Sequence, residues 1–129
     1  MCASADLSPI ADLYPSSDTP LVDTATDCSV VRSSAAKLSV SVAVNGQLFP
    51  DSGSAHQFLT SGRAVMAGAT QISGVGSDAW YSINGDTVIL WASDGNLILQ
   101  VTVAAARVAD LPQRCGRIAT GTFARLASA

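Results

Sequence analysis

His56 is the single histidine of the 129-residue chain, so any imidazole chemistry would have to run through it. General-base work needs a nucleophile beside it, and the strained G-x-S-x-G elbow that presents such a serine is absent. Its place just after Ser54 puts it in the first turn of a helix, where a solvated imidazole is the expected state. Asp51-Ser52-Gly53 matches a D-[ST]-G triplet whose carboxylates work in pairs sharing one proton. One copy per chain would require a dimer to bring two Asp51 carboxylates together, and Pro50 interrupts the apolar strand that should lead into it. A turn and helix cap is the favoured reading, and an acid-active hydrolase built on Asp51 the least favoured. Gly74-Val75-Gly76-Ser77-Asp78 is glycine-rich, yet a strand rather than a helix follows it and no lysine does, so it is read as a tight connection.

Three cysteines, Cys2, Cys28 and Cys115, lack CxxC or histidine-paired spacing, which speaks against zinc, and no cofactor is expected. In an oxidising compartment the natural count is one disulfide and one odd thiol. Cys2 directly follows Met1. The favoured reading is a chain trimmed after its signal peptide, with Met1 added; the other is a cytosolic chain with reduced thiols.

Apolar residues make up 48% of the chain and charged ones 13%, which excludes disorder and allows one domain, residues 1–129, with a proper core. No apolar run reaches the roughly 18 residues of a membrane helix. A net charge of −3 with seven bases argues against nucleic acid. All ten acids are Asp, and six of the seven bases are Arg, with Lys37 the exception. Without Glu and Lys to decorate exposed helices, helix is expected to be the minor component. Asp6, Asp12, Asp18, Asp23 and Asp27 precede any base, whereas Arg107, Arg114, Arg117 and Arg125 crowd the end. Neutralisation of one terminus by the other is the expected arrangement, with an anion-binding face on the last helix as the alternative.

The elements that must carry these residues can be read in order. Ser8-Pro9 opens a short helix with Leu7, Ile10, Ala11 and Tyr14 at helical spacing, stopped by Pro15. Residues 16–27 read as loop, and Cys28 to Val31 as a first strand. Leu38, Val40, Val42 and Val44 alternate with Ser39, Ser41 and Ala43, the mark of a half-buried strand. Ser54 is expected to cap a helix carrying Ala55, Phe58, Leu59, Val65 and Met66, weakened by Gly62. Turns at Asn84-Gly85 and Asp94-Gly95 predict a three-stranded meander over residues 80–103. Asp110 caps a last helix with the stripe Leu111, Cys115, Ile118, Thr122, Phe123 and Leu126. The expected fold is α+β: an antiparallel sheet of four to five strands with two or three helices mainly on one face.

Turns at those dipeptides set a register. They oppose Ala92 to Leu97, Leu90 to Leu99, Val88 to Val101 and Tyr81 to Val88, one core face shared with Leu38, Val40 and Val42. The other face then carries Trp80 against Ile89 and Trp91 against Ile98. Both tryptophans should meet solvent unless a segment folds over them, and an exposed patch of this kind would bind a partner.

The order of several short motifs resembles a family of small secreted actinobacterial lipoproteins of unknown function. The matching stretches are C-A-S-A-D-L (Cys2 to Leu7), Cys28-Ser29-Val30, I-S-G-V-G-S-D-A-W (Ile72 to Trp80), and Arg114-Cys115-Gly116 in a closing helix. The resemblance implies an envelope location, an exported or lipid-anchored precursor, a curved antiparallel sheet backed by helices, and no enzyme activity. It leaves the pairing open: Cys2 with Cys115, which is favoured, Cys28 with Cys115, or a lipid on Cys2 with Cys28 and Cys115 paired. Members with four cysteines carry one in the central hairpin that is missing between Trp91 and Leu99.

The expected function is therefore a non-enzymatic, extracytoplasmic envelope accessory or binding domain. It would act through Trp80, Ile89, Trp91 and Ile98 on an envelope protein, touching membrane only through an N-terminal lipid. A second reading is a carrier of a small apolar ligand near Phe58, Met66 and Tyr81.

Overall fold

A computed structural model of the chain describes residues 1–13, 21–33 and 39–128. A 3-10 helix (Ser8–Leu13) precedes strands β1 (Val22–Asp23), β2 (Asp27–Ser33) and β3 (Ser39–Leu48), then helix α1 (Ser52–Val65). Strands β4 (Thr70–Gln71), β5 (Asp78–Asn84), β6 (Thr87–Asp94) and β7 (Leu97–Ala105) lead to helix α2 (Leu111–Ala127). All pairings are antiparallel, in the order β1-β2-β3-β7-β6-β5-β4. The α+β class is as expected. Five strands are the expected ones, and two-residue strands β1 and β4 widen the sheet to seven at its edges. Tyr14, Pro15, Asp18, Lys37 and Leu38 lie outside the described residues.

Both hairpins turn one residue later than the dipeptides suggested. The loops are Gly85-Asp86 and Gly95-Asn96, each with its glycine at φ +60° and its second residue at negative φ. Glycine alone at positive φ in the first loop position is the II′ arrangement, whereas Asn-Gly in a I′ turn would require two such residues. Every cross-strand partner therefore moves by two: Leu90 faces Val101, Tyr81 faces Leu90, and Trp80 faces Trp91. Side chains alternate with period two, so the faces survive the shift.

Val40, Val42, Val44, Val88, Leu90, Leu99, Val101 and Val103 form the main core with α2 and the 3-10 helix over them. The stripe of α2 is buried as expected, with Leu126 half-buried. Asp110 does not cap it through its side chain; its carboxylate takes the Arg114 guanidinium instead. The N-terminal segment is tied across α2. The buried Thr122 hydroxyl accepts from Asp6 N–H at 3.0 Å and donates to Ile118 C=O at 2.7 Å. Arg125 pairs with Asp6 at 3.3 Å and Arg114 with Asp12 at 2.5 Å. The acidic start thus pairs with the basic end, and two of the three arginines of α2, where an anion face was the alternative, are already taken.

The disulfide joins Cys2 to Cys28, so both Cys115 pairings are corrected. The cause is local. Asp23 faces Cys28 across the β1–β2 ladder, and its carboxylate accepts from the backbone N–H of Cys2 at 3.0 Å. Residue 2 is thereby delivered to residue 28. A sulfur bonded to Cys28 cannot also hold a thioether lipid, so the lipid-bearing role of Cys2 is corrected too. Cys115 is a fully buried free thiol, and burial pushes it up to about 12. It is inert as a nucleophile.

Gly76 marks a close approach of chain to chain. Its φ is +55°, and a Cβ there would stand 2.3 Å from the carbonyl oxygen of Ser93, which already accepts from Ser77 N–H. Backbone cannot step aside as a side-chain tip can. Gly76→Ala should lose about 2–4 kcal/mol, adding left-handed strain to overpacking. Urea titration checks this, and a loss below about 1 kcal/mol would contradict the contact.

Among the described residues four carboxyls titrate below their ordinary value. Arg114 holds Asp12 down, the Cys2 N–H holds Asp23, the Thr26 and Asn45 side chains hold Asp27, and the Ser54 N–H holds Asp51. A lowered folded-state value means that the stabilisation is complete above the unfolded value of about 3.9 and is lost as pH falls through the folded values. The urea midpoint should accordingly drop between about pH 4 and pH 2. A midpoint unchanged over that interval would rule these partners out as contributors.

Candidate functional site

The reverse face of the sheet is organised by one cross-strand row. Reading across strands, Asp27, Asn45, Gln100, Trp91, Trp80 and Gln71 stand side by side. Helix α1 lies over the Trp80 end. Asp51 is its N-cap, accepting from Ser54 N–H at 2.7 Å, so the cap is Asp51 rather than Ser54. Phe49, just before that cap, is held to the β6–β7 turn by reciprocal bonds with Asn96: Phe49 N–H to Asn96 C=O, 2.8 Å, and Asn96 Nδ2 to Phe49 C=O, 3.0 Å. Ala55 and Leu59 of α1 then bury against Trp80 and Ile98.

This placement corrects the expected open patch. Trp80 and Ile98 are each only 2% exposed, while Ile89 and Trp91 are half-buried. Trp80 is packed as a core residue, with its indole N–H donating to Leu59 C=O at 3.0 Å. Gly62 explains how α1 comes so near: a Cβ there would be 3.3 Å from the Trp80 ring. Trp91 stacks on Trp80 with centroids 6.0 Å apart and meets Phe58 at the same separation. Phe58 in turn meets Phe49 at 5.1 Å. Each such pair contributes about 0.5–1.5 kcal/mol beyond its buried area.

The two tryptophans differ in one respect. The Trp91 indole nitrogen is buried and has no hydrogen-bond partner among the described residues. A buried unpaired donor costs about 1–3 kcal/mol, so a residue serving packing alone would be better as Phe. Beside Trp91 opens a concavity of about 250 Å³ lined by Asp27, Asn45, Gln47, Ile98 and Gln100. Asp27 is held by Thr24, Thr26 and Asn45, whose amide donates to it.

Phe58 and Met66 do line a cavity, with Gly62, Val65 and both tryptophans, but its volume is about 110 Å³. Sites for drug-sized molecules run to about 300–1,000 Å³. Tyr81 lies on the opposite face, packed against the main core, so the three residues expected to hold an apolar ligand do not share a chamber. A larger concavity of about 360 Å³ between Met1, Gly46, Leu48, Leu97 and Leu126 is aliphatic apart from Thr26, whose hydroxyl donates to Asp27. His56 stands exposed on α1. Among the described residues no group of three His, Cys, Asp or Glu side chains is close enough to hold a metal ion, and no helix is long and apolar enough to cross a membrane.

No match to the chain is found among protein-family models, curated proteins or solved structures. The site is therefore read from its own geometry. Sequence reasoning found Trp91 and its face but missed Asn45, Gln47 and Gln100. Their signal was available: they share the reverse-face parity with Ala43 and Thr102, where longer amide side chains interrupt a run of small residues.

Proposed function

We propose that this protein is an exported, non-enzymatic binding domain of the cell envelope that engages its target on the reverse sheet face beside Trp91. The observation that carries this reading is a half-buried tryptophan lining a polar concavity, its indole N–H turned inward without a partner among the described residues, next to a Trp80 whose own N–H is satisfied. A disulfide is compatible with an extracytoplasmic location, because such bonds persist in oxidising compartments. The role of Asp51 as a helix cap supports a binding function over a hydrolytic one, since its carboxyl is held low instead of sharing a proton. Resemblance to small secreted actinobacterial proteins points the same way, without the lipid on Cys2.

Trp91→Phe is the direct test. Removing an unpaired donor offsets the smaller ring, so stability should stay within about 1 kcal/mol of the parent. Co-sedimentation with the envelope fraction of the producing cells should nevertheless fall at least tenfold. Equal sedimentation of parent and variant, both folded, would end this reading.

A further inference from the structure

The concavity beside Trp91 has a chemistry that narrows its ligand. We infer that it takes an uncharged glycan, one sugar ring seated against Trp91 and the chain continuing across the open part of the sheet; this rests on the envelope-binding role proposed above. Charge complementarity is the first argument. Among the described residues the lining holds no cationic side chain, and its one carboxylate, Asp27, is already engaged by two hydroxyls and an amide. Such a site has nothing to neutralise a phosphate or a carboxylate, and the Asp27 charge, although present, has its oxygens taken up by those donors and is offset in part by the nearby N-terminal ammonium.

Hydrogen-bonding capacity is the second. Asn45, Gln47 and Gln100 each offer both a donor and an acceptor group. Among the described residues the side chains of Gln47 and Gln100 form no hydrogen bond within the protein. A sugar hydroxyl is likewise donor and acceptor at once, so planar amides match it in either sense. An apolar ligand would leave these groups desolvated and unpaired, at a cost that the rim of Ile98 and Trp91 does not offset.

Shape is the third. Sugars present an apolar face of C–H groups that packs on an aromatic ring, and Trp91 is the half-buried aromatic of this concavity. The volume of about 250 Å³ falls just below that of drug-sized sites, which suits one ring of a longer polymer. Beyond it the reverse face continues as two cross-strand rows, Ser29, Ala43, Thr102 and Ile89, then Val31, Ser41, Ala104 and Thr87. Strands stand about 4.8 Å apart, so these rows set the hydroxyls of Ser29, Thr102, Ser41 and Thr87 between the apolar side chains of Ile89 and Val31, the mixed surface that a sugar chain, with its hydroxyls and C–H faces, can follow.

The test uses the full chain and protein-free polysaccharide released from the same envelope fraction. One portion is kept intact and one is oxidised with periodate, which cleaves vicinal diols. The expected result is binding to the intact polysaccharide with a shift in tryptophan emission, its loss on periodate treatment, and a weakening of at least tenfold in Trp91→Phe. Gln100→Ala should weaken binding severalfold with the thermal midpoint unchanged. Sedimentation that still depends on Trp91, but disappears when the envelope is treated with protease and is indifferent to periodate, would overturn the glycan while leaving the envelope-binding role intact. Sedimentation and polysaccharide binding both indifferent to Trp91→Phe would remove the two together.

Discussion

Trp80→Ala will destabilise the chain by about 3–5 kcal/mol, the range for truncating a fully buried large aromatic. Three losses combine at this one position. A 2% exposed indole is replaced by a cavity, the stacking on Trp91 disappears, and the Leu59 carbonyl loses the N–H that reaches it across the interface. The damage should fall unevenly. Helix α1 has 14 residues, contains Gly53 and Gly62, and buries only Ala55 and Leu59. Helices of this length and composition have little stability of their own and rely on docking. Amide exchange in α1 should therefore accelerate far more than in β6 and β7, whose opposite face stays packed against α2. Trp80→Phe, which keeps a ring under α1, should recover much of the loss. If Trp80→Ala costs less than about 1.5 kcal/mol, α1 does not cover the tryptophan as described.

Reduction of the disulfide will cost about 3–4 kcal/mol by the chain-entropy relation for a sequence separation of 26 residues. The bond fastens β2 to the segment that α2 holds through Asp6 and Asp12. Its loss should free the amino terminus before the central strands. Parent protein should thus lose its denaturation midpoint on adding dithiothreitol, and the double variant Cys2→Ala/Cys28→Ala should be insensitive to the reagent. Cys115→Ala decides the pairing. It should keep the full response to reductant, because its thiol is unpaired in the core. A Cys115→Ala protein that no longer responds would show that one of the other two pairings operates.

The two residues also show why the site was only partly legible. Alternation along β5, β6 and β7 assigned Trp80 and Trp91 to one face correctly, although both turns were misplaced by one residue. Moving a hairpin turn by one position changes each partner by two, which returns every side chain to the side it had. What alternation does not report is the cover on that side. The connection from β3 to β4 must pass over β7, β6 and β5, because β3 lies inside the sheet and β4 at its edge. With α2 occupying the core face, α1 takes the other, and the patch expected to be open is divided into a buried Trp80 and a half-buried Trp91. The Asn45–Gln100–Trp91 row was half legible: parity puts these residues on the reverse face, but only the pairing of β3 with β7 and of β7 with β6 sets them side by side.

The cysteines divide in the same way. Counting them predicted one bridge and one thiol, and that count is what the fold contains. Which two meet depended on a two-residue strand, Val22–Asp23, in a stretch of Thr and Asp that carries no strand signal. Local pattern determined the α+β class, the core face, the stripe of α2 and the pairing of acidic start with basic end, because each follows from periodicity or charge along the chain. Strand order, the cover of one tryptophan and the choice of disulfide partner came only with tertiary structure, because they depend on which distant segments compete for the same surface.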